Sequence, residues 1–148
     1  MRIEAFQMII MSVDYGMSRT GIAVCDSMEI LASPVTVIFE KDMKKCAVQA
    51  AAKAKELRAE LIVVGLPRRT DGKPGETEAL AKQFADKMKA LTGKETVLWD
   101  ERFTTVSAHY ALDEMNVHGK KRKNVVDALA AVMILENYLS YRKNTGQL

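Results

Sequence analysis

Three apolar runs crowd the start of the chain, and the gaps between them are too short for a helix to cross back. Met8–Asp14 (MIIMSVD) ends on an acid and runs into Tyr15-Gly16, and Gly21–Asp26 (GIAVCD) follows within a few residues. A third strand lies within Ile30–Phe39, with Pro34 near its start or on an edge. This spacing allows an antiparallel hairpin and excludes a helical crossover. The periodicity then changes. Met43, Cys46, Ala47, Ala50, Ala54 and Leu57 recur at three- and four-residue steps, which predicts an amphipathic helix from about Asp42 to Glu60. Leu61–Gly65 (LIVVG) shows no polar alternation, as expected of a central parallel strand covered on both faces. Leu80, Phe84, Met88 and Leu91 mark a second helix stopping near Gly93, and Thr96–Asp100 (TVLWD) reads as a fifth strand. A third helix is expected from about Thr105 to Glu114, capped by Thr104. A basic loop, Val117–Lys123, and a final helix, Val125–Tyr141, capped by Asn124, complete the chain. The order βββ-α-β-α-β-α-α implies an α/β fold: a mixed five-stranded sheet, antiparallel meander plus parallel strands, flanked by helices.

The 148 residues have the size of one domain, spanning 1–148. A content of 48% hydrophobic and 28% charged residues argues against disorder. No apolar run approaches the roughly 18 residues of a membrane span; the longest, Val125–Leu135, is interrupted by Asp127. The N-terminus lacks the marks of a secretory signal. Cys25 and Cys46 stand far apart without a C-x-x-C motif or nearby histidine, which disfavours a zinc site and fits a reducing cytoplasm. The net charge of +3 permits nucleic-acid binding without demanding it. The positive charge is clustered, at Lys120, Lys121, Arg122 and Lys123 and at Arg68 and Arg69.

Acids close three apolar elements. Asp14 ends the first strand, Asp100-Glu101 ends the fifth, and Asp127 is the sole charge within VVDALAAVMIL. Chemistry in an open α/β sheet collects beyond the carboxyl ends of its strands. If the first and fifth strands run parallel, their terminal acids project to one edge. Ala130 and Ala131 let the last helix lie close to the sheet, carrying Asp127 towards them. Carboxylates within ~4–6 Å repel, and a divalent cation removes that penalty. Each acid also has a plain structural reading: Asp14 as a turn residue, Asp127 as a helix-dipole partner. Asp100 and Glu101 point to opposite sides of a regular strand, so only one of them can face such a centre.

These residues resemble the YqgF/RuvX family of Holliday-junction resolvases and pre-16S rRNA nucleases. DYGMSRTG (Asp14–Gly21) is similar to the family's D-Y-G-x-K-R-I-G, and VVGLPRRTDGKPG (Val63–Gly75) to its V-G-L-P-x-x-x-D-G-x-x-G. WDERFTTVSA (Trp99–Ala108) is similar to D-E-R-x-T-T-x-x-A, and VVDALAAVMIL to D-x-x-A-A-x-x-I-L. The resemblance implies a ribonuclease H-like fold and a catalytic, metal-binding set of Asp14, Glu101 and Asp127, with Asp100 as a further candidate ligand. It implies Mg²⁺ or Mn²⁺ as cofactor and phosphodiester hydrolysis as the reaction. Arg19 and Arg102 would then neutralise substrate phosphates, or pair with the same acids. Ser18 stands where the family has Lys and Thr20 where it has Ile, so one expected positive charge is missing. Arg68 and Arg69 are more basic than is usual in their loop.

The implied partner is structured nucleic acid, either an rRNA precursor or branched DNA, held by Arg19, Arg68, Arg69, Arg102, Lys120, Lys121, Arg122 and Lys123. Aromatics make up only 6% of the chain, which favours structured or duplex substrate held by its phosphates over stacking on exposed single-stranded bases. Trp99 and Phe103 are expected in the core. A junction resolvase must cut two strands, which favours a homodimer; an RNA-processing enzyme has no such need. Two other readings remain open at this stage. One is a nucleic-acid-binding module without turnover. The other is an actin-like ATP-binding protein, since DYGMSRTG also resembles the phosphate hairpin of those ATPases.

Overall fold

The computed structural model describes residues 7–68, 71, 73, 75–103 and 119–145, and of residues 103 and 119–127 the backbone alone. Strands β1 (Ile10–Asp14), β2 (Arg19–Cys25) and β3 (Ala32–Phe39) form the meander. Helix α1 (Met43–Leu57) leads into β4 (Leu61–Leu66), and α2 (Glu76–Thr92) into β5 (Glu95–Asp100). A 3-10 turn, Glu101–Phe103, follows β5, and a long helix, α3, spans Gly119–Asn144. The sheet order is β3-β2-β1-β4-β5. β1 and β3 are antiparallel to β2, while β1, β4 and β5 run parallel. Four strands therefore point the same way, and Asp14, Phe39, Leu66 and Asp100 finish at one edge of the sheet.

The sheet is covered on both faces. On one, Met11, Val13, Ile22, Ile62 and Val64 pack against Cys46, Ala50, Phe84 and Met88 of α1 and α2. On the other, Ile10, Ala23, Leu61 and Val63 meet Ala131, Ile134 and Leu135 of α3. Each fully buried Val, Leu or Ile contributes about 1.5–3 kcal/mol, and β4 is buried along its whole length. That double burial is why LIVVG shows no alternation. Small residues Cys46, Ala47, Ala50 and Ala54 line the buried side of α1 and let it lie close to the strands. Asp42 caps α1, accepting from the Lys44 N–H at 2.9 Å. Gly93, at φ 68°, ends α2 where the sequence predicts a stop.

The last helix departs from expectation. It begins at Gly119, so Lys120, Lys121, Arg122 and Lys123 lie in its opening turns rather than in a loop, and Asn124 is interior rather than a cap. Lys and Arg are good helix formers, and no proline or second glycine interrupts the run. The helix expected over Thr105–Glu114 lies outside the described residues, as does Arg69. At its far end α3 is clamped by a buried ion pair. Arg142 donates from Nε to Glu29 Oε1 at 2.8 Å and from its terminal nitrogen to Oε2 at 2.9 Å. Glu29 Oε2 also accepts the Met8 N–H at 2.9 Å. This forked pair joins the end of α3 to the β2–β3 connection and to the chain entering β1, which fixes the helix along its axis.

Both cysteines are free and buried, in separate cores on opposite faces of the sheet. Burial pushes the Cys25 thiol up to about 11 and raises that of Cys46 as well. Neither offers the exposed thiolate that alkylation requires. Iodoacetamide at pH 8 is expected to leave the native chain unmodified on the timescale at which the urea-unfolded chain takes up two labels, a difference mass spectrometry reads directly. Labelling at equal rates would show that the cores open.

Candidate active site at the sheet edge

The centre of the carboxyl edge is built from β1, β4, the turn after β5, and α3. Ser12 is wholly buried and donates its hydroxyl to the Ala131 carbonyl at 2.6 Å, so α3 lies directly on this face of β1. Two residues further along a strand the side chain returns to the same face, which places Asp14 on the α3 side. Tyr15 turns the opposite way and stacks on Phe84 of α2 with ring centroids 4.7 Å apart. The tight turn after it depends on Gly16, where a Cβ would stand 2.3 Å from the Arg19 carbonyl oxygen. The Gly16 N–H donates to Thr20 Oγ1 at 3.3 Å, and the Thr20 hydroxyl in turn donates to the Gly16 carbonyl at 3.4 Å. Thr20, a departure from the family pattern, therefore braces the loop that follows Asp14.

Glu101 reaches the same place from the other side. A Cβ built on Gly65 would lie 2.9 Å from Glu101 Oε2 and 2.6 Å from Ile134 Cδ1 of α3. The carboxylate thus occupies the space that any other residue at 65 would fill. Val13 pairs with Val64, so the next step in register sets Asp14 beside Gly65, one strand spacing of about 4.8 Å away. Asp14 and Glu101 are brought together on the α3 face. Helix α3 runs from this edge back towards the start of β1, since Ala131 sits at Ser12 and Arg142 at the Met8–Glu29 clamp. One turn before Ala131, the helix backbone carries position 127 towards the strand ends. The side chain of Asp127 lies outside the described residues, as do those of Lys120, Lys121, Arg122 and Lys123. Among the described residues no three metal-ligating side chains converge.

Asp100 goes elsewhere. Its carboxylate accepts the Arg102 backbone N–H at 2.9 Å, Arg102 Nε at 3.1 Å and the terminal guanidinium nitrogen at 2.7 Å. Arg68 stands 3.7 Å from Asp100 and 3.8 Å from Glu78 of α2. The two adjacent acids consequently sit in opposite electrostatic regimes. The Arg102 hydrogen bond, helped by the charges of Arg102 and Arg68, holds Asp100 below the usual carboxylate range. Burial, with Asp100 beside it, pushes Glu101 above that range. Neighbouring titratable groups driven apart in this way are a mark of functional sites. Of the five candidate arginines, Arg68 and Arg102 are engaged with acids while remaining partly exposed, Arg19 starts β2 beside the same edge, and the side chains of Arg69 and Arg122 lie outside the described residues. Trp99 is partly buried on the α3 side near Tyr138 and Tyr141, at the margin of the core, and the side chain of Phe103 lies outside the described residues.

The family profile described as RuvX, Holliday junction resolvase, matches residues 8–141. The chain belongs to the RuvX family. RuvX relatives include a protein of Nitrosospira multiformis, 37% identical over 135 residues (91% of this chain, 89% of that one). Another, from Rhodopirellula baltica, is 41% identical over 137 residues (93% and 79%). Both carry the designation "Putative pre-16S rRNA nuclease". Among solved structures, T. thermophilus RuvC in complex with Holliday junction substrate superposes with a TM-score of 0.58 at 13% identity, covering 93% of this chain and 97% of that one. At that identity the likeness is one of fold, and it establishes the ribonuclease H-like sheet that the RuvX motifs imply. Two contributors to the site escaped sequence reasoning. Gly65 reads as strand-end punctuation, and Ser12 as an interruption of an apolar run. A lone hydroxyl inside MIIMSVD was the available signal, because a buried hydroxyl must find a partner.

Proposed function

We propose that this chain acts, as one domain, as a divalent-metal-dependent endonuclease on structured nucleic acid, with Asp14, Glu101 and Asp127 as its catalytic carboxylates. The observation that carries this reading is the seating of Glu101 on the bare backbone of Gly65 next to Asp14. A half-buried carboxylate with a raised pKa, in a cradle that excludes even a methyl group, is costly to the fold unless something uses its charge. Hard oxygen donors of this kind fit Mg²⁺ or Mn²⁺. When bound there, such an ion supplies charge neutralisation at the scissile phosphate and lowers the pKa of water.

The chain's own groups set up the rest. Asp14 reaches the site from the end of β1 and Glu101 from the turn after β5, so the sheet sets where both begin. Ser12 and the Glu29–Arg142 clamp hold α3 in register, and with it position 127. Arg102 keeps Asp100 occupied and leaves Glu101 directed at α3. Arg102 and Arg68, paired yet partly exposed, offer guanidinium groups to substrate phosphates. The family description supports branched DNA as substrate, and the relatives' designation supports precursor 16S rRNA. A junction cut on two strands would further call for two chains acting together.

Purified protein should be given matched junction-DNA and precursor-rRNA substrates with Mg²⁺, Mn²⁺ or EDTA, and an Asp14→Asn variant run beside it. The expected result is product only with metal, and only from the wild type. Equal product from both chains would mean a contaminating nuclease and would remove the mechanism. Tight binding without cutting would leave a nucleic-acid-binding module in its place.

A further inference from the structure

The carboxyl edge of the sheet carries one more side chain that the hydrolytic centre does not use. Phe39 ends β3 and is 59% exposed, a large aromatic ring left in water. It pairs directly with Arg19 across the β2–β3 ladder, so the two side chains leave the same face. That face is the catalytic one. Thr20 and Ile38, one step back on each strand, turn towards the α1 core, so Arg19 and Phe39 turn the other way, as Asp14 does. Asp14 pairs with Gly21, two residues from Arg19. The ring therefore lies about two strand spacings to the side of Asp14 and two residues further out.

Its position is fixed by the backbone. Besides the Arg19 pairing, the Glu40 N–H donates to the Ser18 carbonyl at 3.2 Å, tying the end of β3 to the loop after β1. Ser18, Arg19, Phe39, Glu40 and Lys41 line an open groove of about 430 Å³, within the range of small-ligand sites. Met17, 60% exposed, extends the apolar surface along the same loop. A single exposed phenylalanine needs no explanation on most surfaces. Here it stands on a tied-down stretch of backbone and shares a groove with Arg19 and Lys41, on the face and at the edge where a phosphodiester would be cut.

We infer that Phe39 is a stacking platform for an unpaired base next to the scissile phosphate, with Arg19 and Lys41 flanking it at the backbone. This inference rests on the nuclease reading and narrows its substrate class to a nucleic acid with a single-stranded or frayed nucleotide beside the cut. An aromatic face accepts any base, so the platform selects for strandedness and not for sequence. It also departs from the expectation, drawn from the scarcity of aromatics, that phosphate contacts are favoured over stacking on bases.

The test uses an oligonucleotide carrying 2-aminopurine in its unpaired flank, titrated in EDTA so that nothing is cut, against wild type and Phe39→Ala, Phe39→Leu and Phe39→Tyr. Stacking predicts a fluorescence change on binding, affinity lowered roughly 10- to 100-fold in the Ala and Leu variants, and recovery in Tyr. Melting temperatures establish that all four chains are folded. Leu behaving as wild type would mean an apolar contact, with a protein surface the better partner, and would overturn the inference. A flat series in a chain that cuts with metal would overturn it and leave the nuclease reading intact. A Phe39-dependent signal in a chain that cuts nothing would keep the platform and remove the nuclease.

Discussion

Glu101→Gln is expected to abolish cleavage and, at neutral pH without metal, to raise the melting temperature. The two effects have one origin. Burial and the charge of Asp100 push the Glu101 carboxyl above the ordinary carboxylate range, so the folded chain holds this proton more tightly than the unfolded one. The stability contributed by such a group is full below its unfolded pKa and is lost as pH rises through the folded value. At pH 7 the charged carboxylate is a net cost to the fold. Gln keeps the shape over Gly65 and removes the charge. A gain of about 1 kcal/mol, the size of a favourable single replacement, corresponds to roughly 2–4 °C at this chain length. The gain should shrink as pH falls towards 4, where wild type is protonated too. Activity should drop by more than the roughly 10- to 100-fold that loss of an outer partner of a metal site costs. Melting curves in EDTA at pH 4 and pH 7, beside single-turnover cleavage with Mn²⁺, measure both. A variant that melts lower and cuts at the wild-type rate would make Glu101 an ordinary structural acid.

The same residue marks where the sequence stops being informative. The meander was legible because its connections are too short for a crossover, and β4 because LIVVG has no polar alternation. Asp14 stood out as an acid ending an apolar strand. The choice between Asp100 and Glu101 could not be made from spacing, since it turns on where β5 ends. The strand stops at Asp100, and a 3-10 turn then swings Glu101 over the neighbouring strand. That rotation is a tertiary event, set by the space above Gly65 and by Arg102 closing on Asp100. The run Lys120–Lys123 misled for a different reason. Four consecutive charges look like a solvated loop, yet their helix propensity is high and the helix simply extends through them. Phe39 carried no signal of its own: it stood only as the end of the third strand, and the sheet order is what places it at an exposed corner.

Gly65→Ala is the second large effect, and it isolates geometry from charge. The new methyl would start 2.6 Å from Ile134 Cδ1 and 2.9 Å from Glu101 Oε2, both closer than real contacts allow. One neighbour must yield. Ile134 is 1% exposed and wedged in the α3 core, whereas Glu101 is only half-buried on a short turn, so the carboxylate is the group that moves. Catalysis should fall by about 10- to 100-fold, as for a displaced supporting group, with an overpacking cost of about 1–3 kcal/mol. Gly93→Ala supplies the contrast. It meets nothing within 4 Å but sits at φ 68°, so it should destabilise by about 1 kcal/mol and leave cleavage unchanged. The decisive arm is Ile134→Val. That replacement deletes Cδ1, the nearer of the two clashing atoms, and alone costs about 0.5–1.5 kcal/mol. Combined with Gly65→Ala it should cost less than the sum of the two, because the methyl now has a space to enter. Cleavage should recover in step as Glu101 returns to its seat. Additive losses in stability, or a Gly65→Ala chain that cuts normally, would mean that Glu101 does not depend on the missing side chain at 65.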